Sequence, residues 1–202
     1  MQTPRSSTSP APSPSSPSRP PSQNNILEPG ETQRLFLADP PPGIDGAWIY
    51  VATEGLKQLT MSLRVRDTSV NAQSYGTNIP IVPDSAFAPA MRLIDVPTDP
   101  AYRITLRVYS KNDVAHPVIV RIYAPDRAAP IEEYEAPLFR HEEHGFEFAP
   151  QPAFALLDPL SPAVRASGAS KVRIEVTTKD APIWAFASIS HNTTQQVTTV
   201  LP

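Results

Sequence analysis

Cysteine is absent from all 202 residues. That excludes a disulfide scaffold, a thiolate nucleophile and any zinc or iron–sulfur centre built on cysteine. Glycine is scarce, at 7 residues, which excludes a collagen repeat. No glycine-rich loop is present to cradle a phosphate. No apolar run approaches the ~18 residues a membrane-spanning helix needs. Neither sign of charge dominates: 17 basic residues face 20 acidic ones, for a net charge of −3. Binding to a nucleic acid draws on clustered Lys and Arg, and a balanced chain offers no such footprint. Nucleic acid is therefore not an expected partner, and no transmembrane segment is expected.

What the chain has in excess is proline, 26 residues. Seven of these prolines fall in residues 1–23, together with eight serines and two threonines. No large aliphatic or aromatic side chain follows Met1 in that stretch. Such a segment cannot bury enough surface to offset its chain entropy. It is expected to be a disordered spacer biased toward polyproline II. It holds no apolar core of the roughly 7–15 residues a secretory signal requires. Ser/Pro spacers of this kind commonly join an anchor or signal to an exported domain. An extracellular or periplasmic location is the expectation, for a chain that carries no signal of its own.

Beyond the spacer the pattern has period two. Leu59, Met61, Leu63 and Val65 alternate with Thr60, Ser62, Arg64 and Arg66. Residues 102–108 and 172–177 alternate in the same way. Alternation predicts strands with one buried and one wet face. Residues 48–51, 118–123 and 183–189 alternate less strictly, as central strands covered on both sides do. Further strands are predicted at 32–37, 91–96, 132–139, 147–149, 154–157 and 196–201. Prolines fall mostly between these segments, where they are tolerated. Alternating strands and helices are missing, which excludes a Rossmann or TIM architecture. The fold class is all-β: an antiparallel β-sandwich, Ig-like or jelly-roll-like, with about a dozen strands.

Two segments echo each other. Leu93-Ile-Asp95-Val-Pro97 resembles Leu156-Leu-Asp158-Pro159, and residues 106–113 resemble 174–180. The echo predicts two small sandwich units, 24–126 and 127–202, divided near 126–130. A single twelve-stranded sandwich over 24–202 is the alternative. The core is expected to include Trp48, Leu63, Leu106, Val120, Ile174 and Phe186.

Residues 184–200, together with Gly76-Thr-Asn-Ile79-Pro80 and Leu93-Ile-Asp95-Val96-Pro97, resemble uncharacterised exported bacterial β-sandwich proteins of Ig-like type. The resemblance implies an exported sandwich and supplies no site residues.

Few constellations carry chemistry. His141-Glu142-Glu143-His144 is the densest set of possible metal ligands, but it lacks the i, i+4 histidines of a helical zinc motif. His141 and His144 are weak metal candidates, and a solvated charged loop is the expected role. No G-x-S-x-G marks a serine nucleophile. Asp95 and Asp99 are spaced for turn capping more than for calcium. No cofactor is expected.

The most informative pattern lies on the wet faces. With the apolar sets turned inward, Arg64, Arg66, Arg103, Arg107, Tyr109, Arg121 and Tyr123 point outward. If strands 59–66, 102–110 and 117–123 are neighbours, these residues form one arginine–tyrosine face. Strands 102–110 and 117–123 are expected to pair across a short turn. Such a face suits a protein or a cell-surface polymer. The acidic stretch 132–147 offers a complement, within the chain or on a second copy, so self-association through it is expected. The functional expectation is a non-catalytic structural or protein-interaction module. A carbohydrate-binding module using the arginine–tyrosine face is the alternative, and a hydrolase the third.

Overall fold

The computed structural model describes residue 57 and residues 59–65, 76–111, 116–140 and 153–202. The expected spacer 1–23, the strands at 32–37, 48–51 and 147–149, Trp48, Arg66, His141 and His144 lie outside the described residues.

Eleven strands make up the described fold. They are β1 (Leu63–Val65), β2 (Thr77–Ile79), β3 (Ala90–Pro97), β4 (Tyr102–Ser110), β5 (Val118–Tyr123) and β6 (Glu132–Ala136). They continue with β7 (Phe139–Arg140), β8 (Ala153–Leu157), β9 (Lys171–Thr177), β10 (Ile183–His191) and β11 (Val197–Val200). All pairings are antiparallel. A five-stranded sheet runs β11-β10-β4-β8-β7, a four-stranded sheet runs β3-β9-β5-β6, and β1 with β2 forms a third, two-stranded sheet. The two larger sheets share one apolar core, as a sandwich requires. Ile104, Leu106, Val108, Ala185 and Ala187 enter that core from the five-stranded sheet. Leu93, Val120, Ile122, Ile174 and Val176 enter it from the four-stranded sheet.

Local chemistry explains the strand ends. Pro137 interrupts the predicted strand 132–139 and splits it into β6 and β7. The loop before β4 is an Asx turn: the Ala101 N–H donates to Asp99 Oδ1 at 2.7 Å, the capping role expected of Asp99. Asp95 sits in a bulge of β3, between Leu93 and Val96, with φ 60°. The short helix α1 (Pro162–Ala166) was not anticipated by the period-two pattern. Its signal was present, since Ser161 caps the N-terminus by accepting from the Val164 N–H, and Pro162 occupies the first turn.

The division near 126–130 does not separate two sandwiches. β3 pairs with β9, β4 with β10 and β8, and β5 with β9, so strands from both sides of that point share both large sheets. The internal echo reflects two similar crossings between the sheets of one sandwich, β4 to β5 and β9 to β10.

Candidate interaction face

The residues expected on a single arginine–tyrosine face are distributed over three sheets. Arg64 lies on β1 and donates to Asn78 Oδ1 across the two-stranded sheet at 3.1 Å. Arg103, Arg107 and Tyr109 lie on β4 of the five-stranded sheet. Arg121 and Tyr123 lie on β5 of the four-stranded sheet. The expected pairing of strands 102–110 and 117–123 does not occur. β4 is flanked by β10 and β8, and β5 by β9 and β6. Because the inward residues of both strands meet in one core, their outward residues point away from each other. The shared face is therefore corrected to two separate faces of different character.

The outer face of the four-stranded sheet is a wet charge ladder. Registers align Arg92 with Glu175, Glu175 with Arg121, and Arg121 with Glu133, so one row crosses all four strands with alternating sign. Arg92 contacts Glu175 at 2.8 Å, and Arg121 contacts Glu133 at 2.5 Å. Arg121 also donates to Thr177 Oγ1 at 3.3 Å. The hydrogen bond that Arg121 donates to the Glu133 carboxylate raises the Arg121 pKa above the ordinary guanidinium value. In the next row Arg173 lies 4.3 Å above the Tyr123 ring. Burial, then the nearby Glu175 charge, pushes the Tyr123 phenol up. Two shallow depressions open on this face. The one beside Arg92 holds a single carboxylate, Glu175, already ion-paired. The acidic stretch thus folds in part against its own chain: Glu133 meets Arg121, and Glu132 contacts the Ser161 hydroxyl.

The outer face of the five-stranded sheet is aromatic. Registers place Trp184 opposite Tyr109 and Phe186 opposite Arg107. On the other flank Phe154 is opposite Tyr109, Leu156 is opposite Arg107, and Phe139 is opposite Phe154. Tyr109 stacks on Phe186 at 6.2 Å and 7°, and Trp184 lies 5.2 Å from Phe186. The Arg107 guanidinium sits 6.0 Å from the Phe186 ring centre. Trp184 and Phe186 are buried, at 6% and 2% exposure, whereas Phe139 and Leu156 are open, at 62% and 42%. The face therefore grades from a covered aromatic centre at β10 to an exposed apolar flank at β7 and β8.

Trp184, Phe154, Leu156 and Phe139 were not among the expected site residues. For Trp184 the signal was the apolar run Ile183-Trp-Ala-Phe186-Ala, which breaks alternation because β10 is buried on both faces, whereas Phe139, Phe154 and Leu156 join this face only through the pairing of β7 and β8. Phe186 is buried as expected, but on the side opposite Leu106.

Among the described residues no three His, Cys, Asp or Glu side chains are grouped to hold a metal ion. His116 is occupied, its Nδ1 lying 2.9 Å from Asp180 Oδ1. Compared with protein families, curated proteins and solved structures, the chain has no match in any of the three.

Proposed function

We propose that this chain is a non-catalytic β-sandwich module that binds another protein through the outer face of its five-stranded sheet. The observation that carries this reading is the exposed pair Phe139 and Leu156, on the same face as Arg107 and its aromatic neighbours. Large apolar side chains left open beside an arginine match the composition of protein–protein contact centres. The opposite sheet supports the assignment by contrast, since its charges are matched across the strands and it has less to gain from desolvation. An extracellular or periplasmic setting of bacterial, Ig-like type rests on the resemblance of residues 184–200 and on the Ser/Pro-rich spacer.

A carbohydrate-binding module is the second reading, favoured by the rings of Tyr109, Trp184 and Phe186 on one face. Sugar stacking needs an open ring, and Trp184 and Phe186 are covered. Tyr123, the other expected platform, lies beneath Arg173.

Leu156→Asp and Phe139→Asp test the primary reading. Each should abolish binding of the protein partner recovered with the wild-type chain, and each should leave the melting temperature nearly unchanged. Unaltered binding in both variants overturns the assignment of this face. Binding to a polysaccharide panel that is lost in Tyr109→Ala selects the carbohydrate reading instead.

A further inference from the structure

The hairpin joining β10 to β11 is built around an imidazole that accepts from two backbone amides. His191 closes β10, and its Nδ1 lies 3.3 Å from the Thr193 amide nitrogen and 3.2 Å from that of Thr194. Both amides are donors, so Nδ1 must present its lone pair and the ring proton must sit on Nε2. The ring stands edge-on to Tyr102, with centroids 5.3 Å apart at 81°. The rest of the turn is held by bonds on either side of this anchor. The His191 N–H donates to the Gln196 carbonyl, and the Gln195 N–H to the His191 carbonyl, both at 2.9 Å. Asn192 ties the turn to the loop before β4, its N–H donating to the Ala101 carbonyl and its Nδ2 to the Pro100 carbonyl, both at 2.8 Å. Gln195 is held at φ 56°, a left-handed conformation that a non-glycine residue keeps only under constraint.

We infer that this turn is an acid-released latch on the edge of the five-stranded sheet. Adding a proton at Nδ1 turns the acceptor into a donor aimed at two other donors. Both amide bonds are lost, and with them the side-chain anchor of Thr193 and Thr194. Among the described strands β11 is bonded to β10 alone, so loosening the turn loosens the sheet edge. The charged groups on the elements packed against the ring are Asp99, whose carboxylate accepts from the Ala101 N–H, and Arg103, opposite Ser190 on β4. From Asn192 to Pro202 no side chain is charged. The latch goes beyond the proposed binding face, and its readout does not require a partner.

Amide exchange of Thr193, Thr194 and the β11 residues, followed by NMR from about pH 8 to about pH 5, spans the range in which an imidazole changes charge. The His191 ring nitrogen shifts should report Nε2–H at the upper end. After correction for intrinsic exchange, protection in the wild-type chain should fall by roughly five- to thirty-fold on acidification, the loss of one or two ordinary hydrogen bonds. His191→Asn places an acceptor oxygen in the Nδ1 position that does not titrate, so its protection should not respond to pH. His191→Phe keeps the ring and removes the acceptor, so its amides should be unprotected throughout. Asp99→Asn should retain the wild-type acid response. An Nδ1–H tautomer at the upper end, protection that ignores pH in the wild-type chain, or an acid response that survives in His191→Asn or disappears in Asp99→Asn overturns the latch.

Discussion

Single residues set the turns of this molecule, and some of them were legible before any fold was known. Asp99 was read as a turn cap from its residue type, and it caps the Ala101 amide. Gly168 was not distinguished, because only the folded chain shows that it follows α1 at φ 75°. A left-handed residue just past a helix end is a glycine position. No atom lies within 4 Å of where its Cβ would sit, so Gly168→Ala tests backbone strain alone. It should destabilise the fold by about 1 kcal/mol, measured by urea denaturation. Tyr134 tests the opposite kind of effect, an inward-facing phenol whose hydroxyl has no hydrogen-bond partner. Burial, reinforced by the Glu132 and Asp158 charges, raises its pKa to about 12. Below the ordinary phenol range both folded and unfolded chains keep the proton. Between about pH 10 and that raised value the unfolded chain loses it first, so stability falls as the pH climbs. Tyr134→Phe should flatten that slope and leave stability near neutral pH unchanged or slightly higher. An unchanged slope in denaturation curves would show that Tyr134 is not its source.

At the scale of elements, periodicity was the strongest guide. The alternation of residues 102–108 placed Leu106 inward, and it is fully buried. Leu106→Ala should cost ~2–5 kcal/mol by opening a cavity between the sheets. The acidic pattern of β6 was legible as a solvated face, but its partners were not, because a register between strands is not written within either one. Four strands, three of them non-neighbours in sequence order, supply the row Arg92, Glu175, Arg121 and Glu133. Glu175 is the least exposed member of the row and holds two ion pairs, with Arg92 at 2.8 Å and with Arg173 of the next row at 3.7 Å. Glu175→Gln should lower stability by about 1 kcal/mol, less at high salt, while Arg92→Ala, at the open end, should be barely measurable. Equal losses for both would show that position in the row does not matter.

At the scale of the whole molecule, the pairings that build both large sheets among the described residues, β3–β9, β4–β10, β4–β8 and β5–β9, join strands far apart in the chain. The Arg92–Glu175 contact spans 83 residues. β3, β4 and β5 each need β9 or β10 to complete their sheets. A fragment of residues 24–126 should therefore be unfolded by circular dichroism and show collapsed amide dispersion. A folded fragment would restore the two-unit organisation. High sequence separation of contacts also places folding in the slow, millisecond-to-second range typical of sandwiches. A stopped-flow chevron would measure it.

By itself the sequence determined the strand content, the antiparallel class and the inward sets of residues 102–108 and 172–177. These follow from a two-residue side-chain period that any single strand displays. In 59–65, by contrast, Met61 is exposed and Leu63, expected in the core, is only half-buried. It also marked β10 as buried on both faces, since an unbroken apolar run has no wet side to offer. The tertiary structure alone decided which strands are neighbours. That choice sent Arg107 and Tyr109 to one side of the sandwich, Arg121 and Tyr123 to the other, and Arg64 to a separate sheet. It joined Phe139 and Leu156 to an aromatic face that no local pattern announces. Pleat geometry tells each side chain in or out, but neighbourhood depends on long-range pairing, and the surface that binds is a property of neighbourhood.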